Sequence, residues 1–119
     1  MDPLQNVFLD TTLVFNNDGM GQGDETLCHR LATNYLNAIQ EAETRPAAIL
    51  LYASGVKLAT FSSPCRKVLS ELAAAGTRII ACRTCLDHYN LLDKVPENEI
   101  GNILMILEAQ ACAARLINL

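Results

Sequence analysis

The residues best suited to chemistry are Cys82-Arg83-Thr84-Cys85, two thiols three positions apart at the end of an apolar run. A thiolate is the nucleophile in both sulfur transfer and disulfide exchange. If a short helix opens at Thr84 or Cys85, its N–H groups point back at Cys82. Backbone donors, the helix dipole and the charge of Arg83 then favour the thiolate. A sulfur carrier needs one such thiolate, exposed enough to meet a partner. It attacks a donor persulfide and holds the outer sulfur as Cys–S–SH. Cys85 can resolve that persulfide as a disulfide or share the role. The same pair also suits a thiol–disulfide or redox-sensing module. A third reading is a non-catalytic oligomeric binding module whose thiols are packing.

Other candidates surround the pair. Asp87 and His88 follow it. His88 is a base or proton donor near the thiolates, or a solvated loop histidine; Asp87 is a cap or turn residue. Lys57, after Ser54-Gly55-Val56, would bring positive charge near Cys82 if their strands are neighbours, or is a surface lysine. A single C-x-x-C is half of a zinc site, and no second C-x-x-C or H-x-x-x-H completes it. Cys28 and His29 are adjacent on a helix and so point about 100° apart. No metal and no cofactor are expected. Cys28, Cys65 and Cys112 lie in or beside helices, where a small packed side chain is the expectation. Gly19-Met20-Gly21-Gln22-Gly23 is neither a dinucleotide fingerprint nor a P-loop, and Asp24-Glu25 would repel a phosphate, so a tight turn is expected there.

The elements that position these residues alternate. Thr12–Asn16 is a short β-prone run, and a glycine-rich loop follows it. Asp24 is a good N-cap with Glu25 in the first turn. Leu27, Leu31, Tyr35 and Ile39, widened by Leu36 and Ala42, make an amphipathic helix from about Asp24 to Ala42. Ala47–Ala53 is a continuous apolar run, typical of a strand covered on both faces. Ser63-Pro64 starts a second helix that uses Val68, Leu69, Leu72 and Ala73, and Gly76 ends it. Thr77–Cys82 is a third strand. Arg83 to Pro96 reads as a loop with one helical turn. Glu97-Asn98-Glu99 starts a last helix with Ile100, Ile103, Leu104, Leu107 and Ala111 inward. Arg115–Leu119 is a fourth strand.

This alternation implies a single-domain α/β three-layer sandwich. Its sheet is mostly parallel, with four to five strands and right-handed crossovers. Chemistry then sits beyond the carboxyl ends of the strands, where Asn17–Gly23, Ser54–Lys57 and Cys82–Asn90 fall. Residues 1–11, with Val7-Phe8-Leu9, read as an N-terminal arm or extra strand.

The bulk properties exclude several classes. The 119 residues suffice for one domain with a real core. A net charge of -4 and scattered Lys and Arg disfavour nucleic acid. No stretch is long and apolar enough for a membrane span, and Met1–Asp10 lacks the pattern of a secretory signal. Five cysteines is an odd number, and the composition is not that of a disulfide scaffold, so a cytoplasmic protein with free thiols is expected.

The segment Ile79–Tyr89 resembles the A-C-x-T-C-L-D-x-Y stretch of the DsrE-like domain in YedF-type selenium-metabolism proteins of the DsrE/DsrF-like family. Gly21–Glu25 is similar to that family's G-x-G-D-(D/E) turn. Ser54–Leu58 is similar to its N-S-G-V-K-L segment, and Glu99–Asn102 to the start of its last helix. The resemblance covers residues 12–119. It implies a DsrE-like (flavodoxin-like) parallel fold, and subunits that associate as trimers or hexamers. It also implies a sulfur-relay, sulfurtransferase-like role in which Cys82 accepts persulfide sulfur, or selenium, with Cys85 as helper. Arg83, Thr84, Asp87, His88, Lys57, Ser54 and Gly55 would support the pair. This chain has Ala53 where the family usually has Asn, and Arg83 where it usually has Gly. It lacks the C-P-x-P carrier domain, so its partner would be a separate sulfur donor or acceptor such as a small sulfur-carrier protein.

Overall fold

In the computed structural model the described residues are 8–119. Within the proposed arm, Val7 therefore lies outside the described residues. Phe8 is half-buried and Leu9 is exposed.

Five parallel strands form one sheet in the order β4-β3-β2-β1-β5. They are β1 (Thr11–Phe15), β2 (Ala48–Leu51), β3 (Arg78–Cys82), β4 (Ile100–Gly101) and β5 (Arg115–Asn118). The α-helices between them are α1 (Glu25–Glu41), α2 (Arg66–Ala74), α3 (Arg83–His88) and α4 (Ile103–Cys112). From β1 to β4 the chain steps in one direction across the sheet; it then returns to place β5 beside β1. Uniformly right-handed crossovers put helices on opposite faces when the direction reverses. Accordingly α1 packs with α2, whereas α4 lies against β3. The three-layer parallel α/β architecture expected from the sequence is the one observed.

The central strands are covered on both faces, and β1 and β2 are buried along their whole length. Leu13, Phe15, Ile49, Leu50, Leu51 and Ile80 form the middle of the core. Asp24 caps α1 as expected, its carboxylate accepting the Leu27 N–H at 3.1 Å. The buried face of that helix is rotated from the expected stripe. Cys28, Ala32, Leu36 and Ile39 point inward, while Leu27 and Leu31 are 50% and 39% exposed. Small residues at 28 and 32 let the helix approach the sheet closely, and a leucine stripe would hold it off.

The carboxyl-terminal third departs from expectation. Glu97–Glu99 is a 3₁₀ turn, and Ile100–Gly101 pairs with β3 as the edge strand β4. The last helix starts later, capped by Asn102, whose side chain accepts the Met105 N–H at 2.9 Å. Its Ile106 is buried, but Ile103, Leu104, Leu107 and Ala111 face outward rather than inward. Glu99 is 5% exposed and forms a two-pronged ion pair with Arg66, with contacts of 2.9 and 2.7 Å.

Candidate functional site

Parallel pairing brings the carboxyl ends of β1, β2 and β3 to one edge. Phe15 is in register with Leu51, and Leu51 with Ala81. The loops after these three strands therefore converge. Beyond Leu51 the chain turns through Tyr52, whose N–H donates to the Phe15 carbonyl at 3.1 Å. It then enters a 3₁₀ segment, Ala53–Ala59, so the strand expected to reach Ala53 ends at Leu51 instead. This turn holds Ala53 in the left-handed region, with φ of 51°. A non-glycine residue there is strained by roughly 1–2 kcal/mol, and Asn tolerates the conformation better than Ala.

The strained turn aims the Ala53 N–H at the Sγ of Cys85, 3.1 Å away. Cys82 ends β3 and immediately precedes α3, and Cys85 lies in the first turn of that helix. The two thiols are free, and they lie close enough for Cys82 to influence the Cys85 proton. Their exposure differs: Cys82 is 2% exposed, whereas Cys85 is half-buried. The structure thus unites Cys82 and Cys85 but places the expected carrier on the inside.

Burial raises the Cys85 thiol above its ordinary value, and the neighbouring Cys82 thiol raises it further. The Ala53 N–H acts in the opposite direction and does not overcome them. At Cys85 burial and the neighbouring thiol therefore outweigh the backbone donor. Peptide-resolved alkylation at Cys85 should therefore be slow at neutral pH and accelerate only above the range of a free thiol, about 8.5. Cys82→Ala should move that rise to lower pH; an unchanged profile would rule out the Cys82 contribution. The folded state holds this proton more tightly than the unfolded state. Its stabilisation is present below the unfolded pKa and is lost as pH climbs through the folded value.

The supporting candidates divide. Gly55 is buried, Ser54 is half-buried, and both lie in the turn that carries Ala53. Lys57, from the same segment, places its Nζ over the Tyr89 ring, 4.5 Å from the centroid. His88 packs edge-on against that ring, with centroids 5.0 Å apart. Tyr89 therefore organises the two basic candidates beside the thiol helix, a part the sequence reading did not assign to it. Its N–H donates to the Cys85 carbonyl at 3.2 Å. Arg83, Thr84 and Asp87 are exposed on α3. Of the other thiols, Cys28 and Cys65 are packed as expected, and Cys112 is instead exposed. The glycine loop is a tight turn as expected: Gly21 and Gly23 have positive φ, and the Met20 N–H bonds the Cys28 carbonyl.

An all-parallel five-stranded sheet covered by helices on both faces defines the structural class, a three-layer α/β sandwich. Within that class three solved proteins are similar to this chain, each aligned over 92% of it. Protein MTH1491 of Methanobacterium thermoautotrophicum, of unknown function, is 22% identical with a TM-score of 0.63 over 97% of its length. The YchN protein of E. coli is 14% identical with a TM-score of 0.67 over 98% of its length. Protein BT1422 of Bacteroides thetaiotaomicron, a conserved protein of unknown function, is 14% identical with a TM-score of 0.62 over 95%. At these identities the likeness establishes a shared fold. No protein-family model matches the chain, and no curated protein matches it by sequence. Among the described residues no helix is long and apolar enough to cross a membrane.

Proposed function

We propose that this chain is a sulfur-relay protein of the DsrE/DsrF-like kind, working through the Cys82–Cys85 pair. The observation that carries the reading is a pair of free thiols three residues apart, the outer of which receives a backbone N–H from a strained turn. Strain of this kind concentrates at working sites. Cys85, the more accessible thiol, is where a partner persulfide arrives. Its thiolate attacks the outer sulfur of the donor, forms Cys–S–SH, and releases the donor as a thiolate. Cys82, buried against it, receives the sulfur in turn or resolves the persulfide. The donor and acceptor are separate proteins, and selenium could follow the same route.

Intact mass spectrometry after incubation with a cysteine desulfurase and cysteine tests this reading. Wild type should gain one sulfur atom and the doubly substituted Cys82→Ser, Cys85→Ser protein none. Of the single variants, Cys85→Ser should lose more of the gain. Loss confined to Cys82→Ser would return the carrier role to Cys82. Two neighbouring free thiols also favour one second reading, a reversible disulfide. Loss of two hydrogens under mild oxidant, with no sulfur gained from any donor, would decide for it.

Self-association belongs to the same proposal, as a trimer or hexamer. Ile103, Leu104 and Leu107 on α4 are 64%, 56% and 58% exposed, and Leu116 on β5 is 40% exposed. Fully burying such a side chain is worth roughly 1.5–3 kcal/mol, and covering these half-exposed ones about half of that. Light scattering should give a multiple of the chain mass for wild type. The paired changes Leu104→Glu and Leu107→Glu should reduce it to one chain. A monomeric wild type would end the idea.

A further inference from the structure

We propose a second site, independent of the thiol pair: Asp18, Glu25 and His29 bind a divalent transition-metal ion of the Zn²⁺ or Mn²⁺ type. The His29 Nε2 lies 3.3 Å from the Asp18 Oδ2 and 3.8 Å from the Glu25 Oε1. All three donor atoms fall within 4.8 Å of one another. An ion bonded at about 2.0–2.2 Å to an imidazole nitrogen and two carboxylate oxygens needs donor separations of roughly this size. One imidazole and two carboxylates suit zinc and manganese better than a soft, thiolate-seeking metal.

The fold prepares this arrangement from two independent pieces of chain. Glu25 and His29 are four residues apart on α1 and share a face. Asp18 comes from the loop after β1 and is held there by close backbone contacts. A Cβ on Gly19 would sit 2.8 Å from the Cys28 Cβ, so glycine lets the loop lie directly on the helix. The Met20 N–H bonds the Cys28 carbonyl at 3.0 Å, and the Gly19 N–H bonds the Asn17 side chain at 2.8 Å. Asp18 is consequently not a free surface acid; its side chain is 31% exposed. Among the described residues, His29 is the partner in each ion pair formed by these two carboxylates.

The set stands between two cavities. Asp18 and His29 line one of about 610 Å³ that also holds Thr26, Arg30 and Lys57. With Glu25 they line a smaller one of about 330 Å³ over the glycine loop. Three protein donors leave coordination positions open, as in metal sites that take water or a small ligand. The larger cavity gives such a ligand room, with Arg30 on its wall to meet negative charge. Sequence spacing hides the site, because one of the three donors comes from the loop and not from the helix.

Mn²⁺ is the deciding probe, since thiolates do not favour it. In titrations followed by electron paramagnetic resonance, wild type should quench the free Mn²⁺ signal with one ion per chain. Asp18→Asn and His29→Ala should each weaken binding by about tenfold or more, and Cys82→Ser with Cys85→Ser should leave it unchanged. Circular dichroism reports whether each variant folds; if His29→Ala does not, the isosteric Asp18→Asn decides alone. Absence of Mn²⁺ binding by wild type, or equal binding by folded Asp18→Asn, would overturn the assignment. Failure of sulfur loading would leave it untouched.

Discussion

Glu99→Gln should lower the unfolding free energy by about 3–5 kcal/mol, the cost of leaving one partner of a buried ion pair uncompensated. The side chains of Arg66 and Glu99 are only 11% and 6% exposed, so solvent screens the pair little. Both carboxylate oxygens are engaged, at 2.9 and 2.7 Å from the two terminal guanidinium nitrogens. Arg66 also donates to the Ala59 carbonyl at 2.7 Å and to the Ser70 Oγ at 3.1 Å. The pair therefore ties the end of the 3₁₀ segment, α2 and the approach to β4 together. Glutamine keeps the shape and a hydrogen bond but leaves the guanidinium charge buried. Replacing both residues with apolar ones of similar volume should recover much of the loss, because the desolvation of both ions disappears with them. Urea denaturation of the single and double variants checks this. A single-variant loss under about 1 kcal/mol would mean the pair behaves as an ordinary surface bridge.

Gly55→Ala should be nearly as damaging, by about 3 kcal/mol, the upper part of the usual range for forcing atoms into packed space. Added to Gly55, a Cβ would overlap the Phe15 carbonyl oxygen and stand 2.9 Å from its carbon. Both atoms belong to backbone, so no rotamer change relieves the clash. That carbonyl also accepts the Tyr52 N–H, and the Gly55 N–H donates to Tyr52 at 2.9 Å. The strand must separate from the turn, and the turn carries Ala53 away from Cys85. Thermal unfolding reports the first effect; Cys85 alkylation, freed from its backbone donor, reports the second. Unchanged melting would show that the close approach does not matter.

Ser54 and Gly55 were legible as neighbours of the thiols because a parallel sheet collects strand ends at one edge. The alternation of apolar runs and amphipathic segments sufficed for that sheet, for the cap at Asp24 and for the break at Gly76. Local pattern served less well near residue 100. Ile100-Gly101 is too short to carry a strand signal, and it pairs with β3 only because the ion pair and the turn before it set its position. The outward leucines of α4 have the same origin. Hydrophobicity states that a residue prefers cover, and it does not say whether the cover comes from its own sheet.

The sequence by itself determined the chemistry available: two thiols at the end of a buried strand, with His88 and Lys57 in reach of that region. It also determined the layered parallel architecture, since period and apolar content are local properties. Only the tertiary structure decided which thiol faces out, which backbone N–H meets it and how the thiol's proton affinity moves. It also brought Asp18 beside His29. Each of these depends on contacts between segments far apart in the chain, where burial and approach distance are set by packing and not by residue type.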